Sequence, residues 1–316
     1  MPSRAALSSF LVAVVVIATA CAASPPRCEL PATAPRGAPL MWRVQRPGGA
    51  VVWLYGTVHD SGAADVPAAA WAALDAAAVF ASELGDHEPD PRLLAEQVRL
   101  PWGQVLDRML PADDWWELVT AMAGAMSEDQ LRHVRPWFAL LRLRSHVARS
   151  PQPSMDFALA ERARTRGIAV ESLESWQQQA AALSTAVTAA DLSVAIHARH
   201  TIACELARLR AAYAAGDLAA LTRMLVIPGR SDELLDERNR RWLPQIERYL
   251  ADRGAFIAVG LGHLLGDAGL LVTLERAGYT IERRADRQAR APRVEPRVVA
   301  TDRPAPAAGC RCCGCR

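Results

Sequence analysis

Two histidines in this 316-residue chain stand in the same local frame. VVWLYGTVHD (residues 51–60) runs from apolar residues through Gly56 to His59, and FIAVGLGHLLGD (residues 256–267) runs through Gly260 to His263. Each reads as an apolar strand, Gly-x-x-His, and a turn of small residues. Between them, VFASEL (residues 79–84) carries Glu83, a carboxylate that an apolar strand keeps only if it meets solvent, an arginine or a cation. Two neutral imidazoles and a carboxylate form a ligand set for a divalent transition ion, with positions left for water and substrate. A glycine three residues before each histidine would let the backbone turn closely beneath such an ion. Either histidine alone reads better as a hydrogen-bonded loop residue; the repeated frame is what brings the metal reading level with it.

The elements that must position these groups follow from the patterning. Strands are predicted at residues 51–58, 79–84, 168–173, 256–260 and 279–283. Helices are predicted at 66–78, opened by proline, at MDFALAERARTRG with its terminal glycine, and at 268–277. Residues 101–148 and 176–250 read almost entirely helical. Strands separated by helices imply parallel pairing with right-handed crossovers. The predicted fold is therefore α/β: a central, mainly parallel sheet flanked by helices, with a large helical insertion between the two Gly-x-x-His halves. Functional groups of such sheets gather at the carboxyl ends of the strands. His59, Glu83, Glu171 or Glu174, and His263 all fall at or just past such ends, so they can share one mouth.

Composition excludes several alternatives. The hydrophobic share is 51%, ample for a core, and the net charge of +2 gives no global field for nucleic acid, so no nucleic-acid partner is expected. The 36 basic residues are all arginine, which removes Schiff-base, phosphate-loop and kinase lysine chemistries. There is no Gly-x-Ser-x-Gly elbow, and HEPDPR (residues 87–92) is broken by proline and lacks the second histidine of a zinc-protease helix. His197, His200 and Cys204 share one helix face in SVAIHARHTIACELARL, but they flank an apolar stripe with no acidic fourth group and read as structural. Trp115, Trp116, Trp137 and Trp242 read as core or cleft wall rather than as a stacking platform.

The ends read differently from the middle. Arg4 followed by LSSFLVAVVVIATA is an export signal over residues 1–23; the small residues at 18 and 20 fit ordinary cleavage, and Cys21 stands where a bacterial lipoprotein would be acylated. Both branches stay open, so the expected location is outside the cytoplasm: periplasmic, membrane-anchored through Cys21, or secreted. Residues 24–40 form a Pro-rich spacer, residues 41–284 the folded domain, and residues 285–316 an Arg- and Pro-rich tail. The tail closes on Cys310, Cys312, Cys313 and Cys315, which suit local disulfides, a soft metal, or no role at all.

Taken together, MWRVQRPGGAVVWLYGTVH, VFASELGD, HVRPWFALLRL, PSMDFALAERARTRGIAVESLESWQQQ, DERNRRWL and AFIAVGLGHLLGDAGLLVTLERAGYTIER resemble the TraB/PrgY/GumN group, which includes the TIKI proteins. The resemblance implies a metal-dependent hydrolase with peptidase-like activity on a peptide or protein, and a fold related to erythromycin-esterase and ChaN-like proteins. It implies that His59 and His263 are metal ligands, Glu83 a ligand or general base, and Arg238 with Asn239 pocket groups near the reacting carbonyl. Asp156 and Glu174 match further family positions. Zinc, manganese or cobalt would activate water, Glu83 or Glu174 would accept its proton, and Arg238 would stabilise the oxyanion. His59-Asp60-Ser61 and the cysteine tail depart from the family pattern. Two readings without turnover remain beside it: an envelope carrier of haem or metal, and a protein that sequesters a peptide.

Overall fold

Apolar runs rich in β-branched and aromatic residues become six strands: β1 (Met41–Gln45), β2 (Val52–Thr57), β3 (Val79–Ser82), β4 (Ala169–Ser172), β5 (Ala255–Gly260) and β6 (Thr280–Arg283). The computed structural model describes Cys28 and residues 37–85, 91–149, 153–227 and 232–284. The expected signal with Cys21, and the tail with its four cysteines, lie outside the described residues.

The strands form one sheet in the order β4-β3-β5-β2-β1-β6. β4 with β3, β3 with β5, and β5 with β2 pair in parallel, whereas β1 pairs antiparallel with both β2 and β6. The antiparallel edge corrects the expectation that segment 279–283 would pair in parallel, and β1 itself is a strand that the sequence patterning did not separate from what precedes it. The reason is local. Only the turn RPGGAV joins β1 to β2, with Gly48 at φ 75°, and so short a link reverses the chain, whereas a parallel crossover needs a dozen residues or more.

β5 is the centre of the sheet, and Ala255, Phe256, Ile257, Ala258 and Val259 are all buried. The Phe256 ring lies 5.8 Å from Tyr55 on β2 and 6.3 Å from Phe80 on β3, tying three strands together through aromatic contact. Helices α1 (Ala68–Asp75), α6 (Met155–Thr165), α9 (Arg199–Ala215), α11 (Glu237–Ala251) and α12 (Leu270–Arg276) contribute buried side chains to this core. The insertion supplies α2 (Pro91–Val98), α3 (Ala112–Ala121), α4 (Glu128–Arg132), α5 (Pro136–Ala148), α7 (Trp176–Ala186), α8 (Ala189–His197) and α10 (Leu218–Leu225). Leu106, Leu118, Leu131, Leu143, Leu192 and Ile196 give it an apolar cluster of its own. Trp115, Trp137 and Trp242 are buried, but Trp116, one position along the same helix, is 57% exposed and belongs to no core.

Part of the segment read as a spacer is fastened to the body. Cys28 forms a disulfide with Cys204 on α9, the Gly37 amide donates to the Ala214 carbonyl at 3.0 Å, and Arg283 donates to the carbonyls of Ala38 and Pro39 at 2.7 and 3.1 Å. The disulfide removes the thiolate from the rival ligand set, and the one helix expected to carry that set is broken at Ala198, with His197 closing α8 and His200 and Cys204 on α9. His197 of that set instead faces Asp114 at 3.0 Å.

Candidate active site

Four parallel strands deliver their following residues to one edge of the sheet. β2 ends at Thr57, two residues before His59; β3 ends at Ser82, next to Glu83; β4 ends at Ser172, two before Glu174; β5 ends at Gly260 and continues into the tight turn Leu261–His263. The extension beyond β3 and β4 stays in register, because the Glu174 amide donates to the Glu83 carbonyl at 3.0 Å. The fifth contributor crosses this edge as a helix. Its first turn, entered through a single π-helical turn at Asp232–Asp236, brings in Arg238 and Asn239, both buried. Such π turns recur at functional sites because they re-aim the side chains that follow.

The Arg238 guanidinium is the hub. Its Nη2 donates to Glu83 Oε2 at 2.5 Å, its Nε and Nη2 donate to Glu174, and its Nη1 donates to the Leu234 carbonyl and meets His263 Nε2, each at 3.0 Å. The guanidinium also lies over the Trp242 ring, 4.9 Å from its centroid, and the same ring is 4.4 Å from His263. A planar donor fork with five N–H groups can serve two carboxylates and an imidazole at once, as an ammonium cannot. Glu83 Oε1, turned away from Arg238, accepts from the Gly260 amide at 2.8 Å, and Gln179 donates to Oε2 at 3.1 Å. This is how an apolar strand keeps its carboxylate.

Electrostatics separate the two glutamates. Burial pushes the Glu83 carboxyl up, but the neighbouring cations and the Gly260 amide outweigh it and hold the group well below the usual carboxylate range. His263 contributes to that only where it is protonated, so at neutral pH Arg238 does most of this work. Glu174 is shifted the other way: burial raises it more than its bonds to Arg238 lower it. The His263 imidazole is held neutral, down to about 3, by burial and by Arg238. Its tautomer follows from its partners. Nδ1 faces the Asn239 carbonyl oxygen at 2.8 Å and must carry the proton, which leaves the lone pair on Nε2. Asn239 is fixed in turn by donating to the carbonyls of His263 and Ala268 at 3.1 and 3.2 Å.

His59 is set differently. Its ring is largely exposed, and Nδ1 meets Asp156 Oδ2 at 2.7 Å, while Asp156 Oδ1 accepts from the Thr57 hydroxyl at 2.5 Å. The Asp156 charge raises the imidazole well above its ordinary value. With Nδ1 committed, Nε2 points back across the β5 end. A methyl on Gly260 would sit 3.2 Å from His59 Nε2 and 3.2 Å from Glu83 Oε1, so those two atoms lie within twice that distance of each other. His263 Nε2 is 3.7 Å from the same Glu83 oxygen. His59, Glu83, Asp156, Gln179 and Arg238 face a cavity of about 520 Å3 whose other wall includes Leu141, Phe157, Trp176 and Leu183. Glu174, Asn239 and His263 are not on that wall; they lie behind Arg238.

Comparison with known families matches residues 40–283, which contain every described strand and helix, to the TraB/PrgY/gumN family. The chain belongs to the TraB/PrgY/gumN family. No curated protein and no solved structure matches it.

The TraB/PrgY/gumN membership makes a divalent ion a natural question. Among the described residues, no three His, Cys, Asp or Glu side chains stand as a ready cluster of ligands. The donors nevertheless suit one. Gly260 leaves open the space between His59 Nε2 and Glu83 Oε1, and His263 keeps its Nε2 lone pair towards the same oxygen. Arg238 Nη1 engages that lone pair and would have to release it, and His59, kept protonated by Asp156, would have to give up its Nε2 proton to an arriving ion. His59, Glu83, Glu174, Arg238, Asn239 and His263 thus converge on one edge, in two layers, whereas Glu171 turns instead to Tyr249 and Arg253. Arg238 itself came from the family resemblance, since its place in a polar helix start has no spacing signal. Thr57, Gln179 and Trp242 were not singled out as site residues, although a threonine in an apolar Gly-x-x-His strand and a glutamine at a helix start were visible in the sequence.

Proposed function

We propose that this family member is a metal-dependent hydrolase of peptide-like acyl bonds. The supporting observation is that His59, Glu83 and Arg238 face one cavity at the carboxyl ends of parallel strands, with the lone pair of His263 just behind. His59, Glu83 and His263 would hold the ion, with zinc, manganese or cobalt compatible with imidazole and carboxylate ligands. When bound, it would supply a Lewis acid that acidifies water and polarises a carbonyl. The chain's own groups do the rest. Arg238, buried and permanently charged, faces the cavity where negative charge develops on a carbonyl oxygen. Glu83, held ionised, would serve as a ligand rather than as the base, because a carboxylate held so far below its usual range accepts a proton poorly. Glu174 holds Arg238 in place from behind rather than meeting substrate. Asp156 and Thr57 fix the direction of His59. Leu141, Phe157 and Leu183 line the wall that would take an apolar substrate side chain.

The Cys28–Cys204 disulfide supports export to an oxidising compartment, with Cys21 as an acylated anchor or as a residue near ordinary cleavage. Mass spectrometry of the native N-terminus separates these, and an intact Met1 on cytosolic protein rejects export.

Metal analysis of protein purified without a histidine tag tests the central reading, alongside a His59→Ala, His263→Ala variant and cleavage of a casein digest with and without chelator. About one ion per chain, lost in the variant, and cleavage abolished by chelator are expected. Cleavage that persists in metal-free protein would reject the ion. One feature favours a second reading, a protein that binds a peptide without turnover: Arg238 Nη1 occupies the His263 lone pair. That reading requires peptide capture unaffected by chelator and by Glu83→Gln, with no new peptide ends.

A further inference from the structure

A second cavity, of about 1040 Å3, opens in the helical insertion and shares no lining residue with the first. Its polar wall is cationic. Arg99 just past α2, Arg108 in the turn Leu106–Arg108 and Arg142 on α5 all line it, against a single carboxylate, Asp129. Among the described residues, these three arginine side chains make no ion pair or hydrogen bond, although elsewhere arginines such as Arg132, Arg162, Arg199 and Arg253 are matched to carboxylates. At the rim stands Trp102, fully exposed, on the turn Pro101-Trp102-Gly103-Gln104, where Gly103 takes φ 83°. No described residue covers that indole.

A fully projecting tryptophan leaves some 150–250 Å2 of mostly apolar ring in water, so it calls for an environment apolar at one end and polar at the other. The exposed neighbours, Pro101, Gly103 and Gln104, add little apolar surface, and Leu100, Val105, Met126 and Phe138 are already half-buried in the cavity wall, short of the roughly 800 Å2 that a protein interface needs on each partner. A single indole flanked by arginines does suit the headgroup level of a bilayer, where tryptophan concentrates and basic side chains meet anionic lipid. The concavity between the arginines has room for a phosphodiester headgroup.

We propose that this face docks onto an anionic lipid surface, with a phosphate headgroup among Arg99, Arg108 and Arg142 and with Trp102 at interfacial depth. The docking does not depend on the hydrolase reading, because the two cavities are separate.

Flotation of the full mature protein with vesicles of phosphatidylcholine alone, or with about one third phosphatidylglycerol, tests it. An N-terminal anchor would bind both compositions alike, so the gain on anionic vesicles is the quantity to read. Each arginine is worth about fivefold in partition at low ionic strength. The gain is therefore expected to fall about fivefold in each of Arg99→Ala, Arg108→Ala and Arg142→Ala, to be lost in Trp102→Ala, and to vanish in about 0.5 M salt, where charges are screened. Circular dichroism unchanged in these exposed variants keeps the comparison sound. Equal partition on both vesicles, or variants that partition like the parent, would overturn the proposal. So would capture of soluble poly-glutamate with the same salt dependence and no need for Trp102, which would make the patch a docking site for an acidic protein.

Discussion

Leu261 fills the space that a side chain at Gly56 would need: a methyl there would fall 2.3 Å from Leu261 Cδ1. The two motif glycines thus serve different ends. Gly56 lets the β5 turn pack over β2, and Gly260 keeps open the gap between His59 and Glu83. Gly56→Ala is expected to destabilise by about 1–3 kcal/mol through overpacking, with partial recovery in the Gly56→Ala, Leu261→Ala double variant. Urea midpoints read both. Gly260 has φ −49°, which alanine adopts freely, and its neighbours are side-chain ends, so Gly260→Ala should hold its midpoint while losing whatever binds between His59 and Glu83.

Removing the hub is costlier. Arg238→Met would leave Glu83 and Glu174 buried without their cation, an expected loss of about 3–5 kcal/mol at neutral pH. Both carboxyls then rise in pKa, so much of the loss should return near pH 4, when they protonate. Unfolding curves at the two pH values check this; an equal deficit at both would mean that packing, not charge, was lost.

The buried His263 makes the fold acid-sensitive. Its folded pKa, about 3, lies below the ordinary 6.5, so the unfolded chain holds more protons between those values. The stabilisation is complete above about 6.5 and declines as pH falls, by at most about 1.4 kcal/mol per pH unit. Glu83, lowered as well, adds to the decline below its ordinary range. His263→Gln should flatten the slope between pH 6 and 4.5; a slope identical to the parent's would place the effect elsewhere.

Asp156 is the group that charges His59. With Asp156→Asn the imidazole should titrate near its ordinary value instead of well above it, as read from its ring-proton shifts by NMR. Because the ring is exposed, little change in stability is expected. An unchanged titration would reject Asp156 as the cause.

The disulfide spans 176 residues, a loop long enough for chain entropy to stabilise the fold by up to about 5 kcal/mol. Reductant should therefore lower the unfolding midpoint of the parent and leave that of Cys28→Ser, Cys204→Ser unchanged. A midpoint indifferent to reductant in both would show that the link adds nothing.

How much of this was readable beforehand depended on whether the determining contact was local. The ends of β2, β3 and β5 were legible because each apolar run stops on a polar residue with chemistry, and the parallel centre follows from their separation by helices. β1 was not, because five residues behind a proline-rich stretch show little periodicity and pair only through a turn. Cys28 looked like part of a linker because its partner lies on a helix far along the chain. The two-layer order of the site, with Arg238 between Glu83 and His263, depends on how α11 crosses the strand ends, and no residue spacing encodes a crossing.

β5, the centre of the sheet, is the fifth of its six strands to be synthesised. At ordinary translation rates the ribosome takes roughly ten to forty seconds to pass from the end of β2 to the end of β5. Throughout that interval β2 and β3 lack the neighbour that lies between them, and neither Arg238 nor His263 exists for most of it. The β1–β2 pair can form early, but the sheet cannot join across its centre until β5 arrives. A chain arrested before residue 255 would present two apolar strand edges to other chains, an invitation to aggregate rather than a smaller working protein.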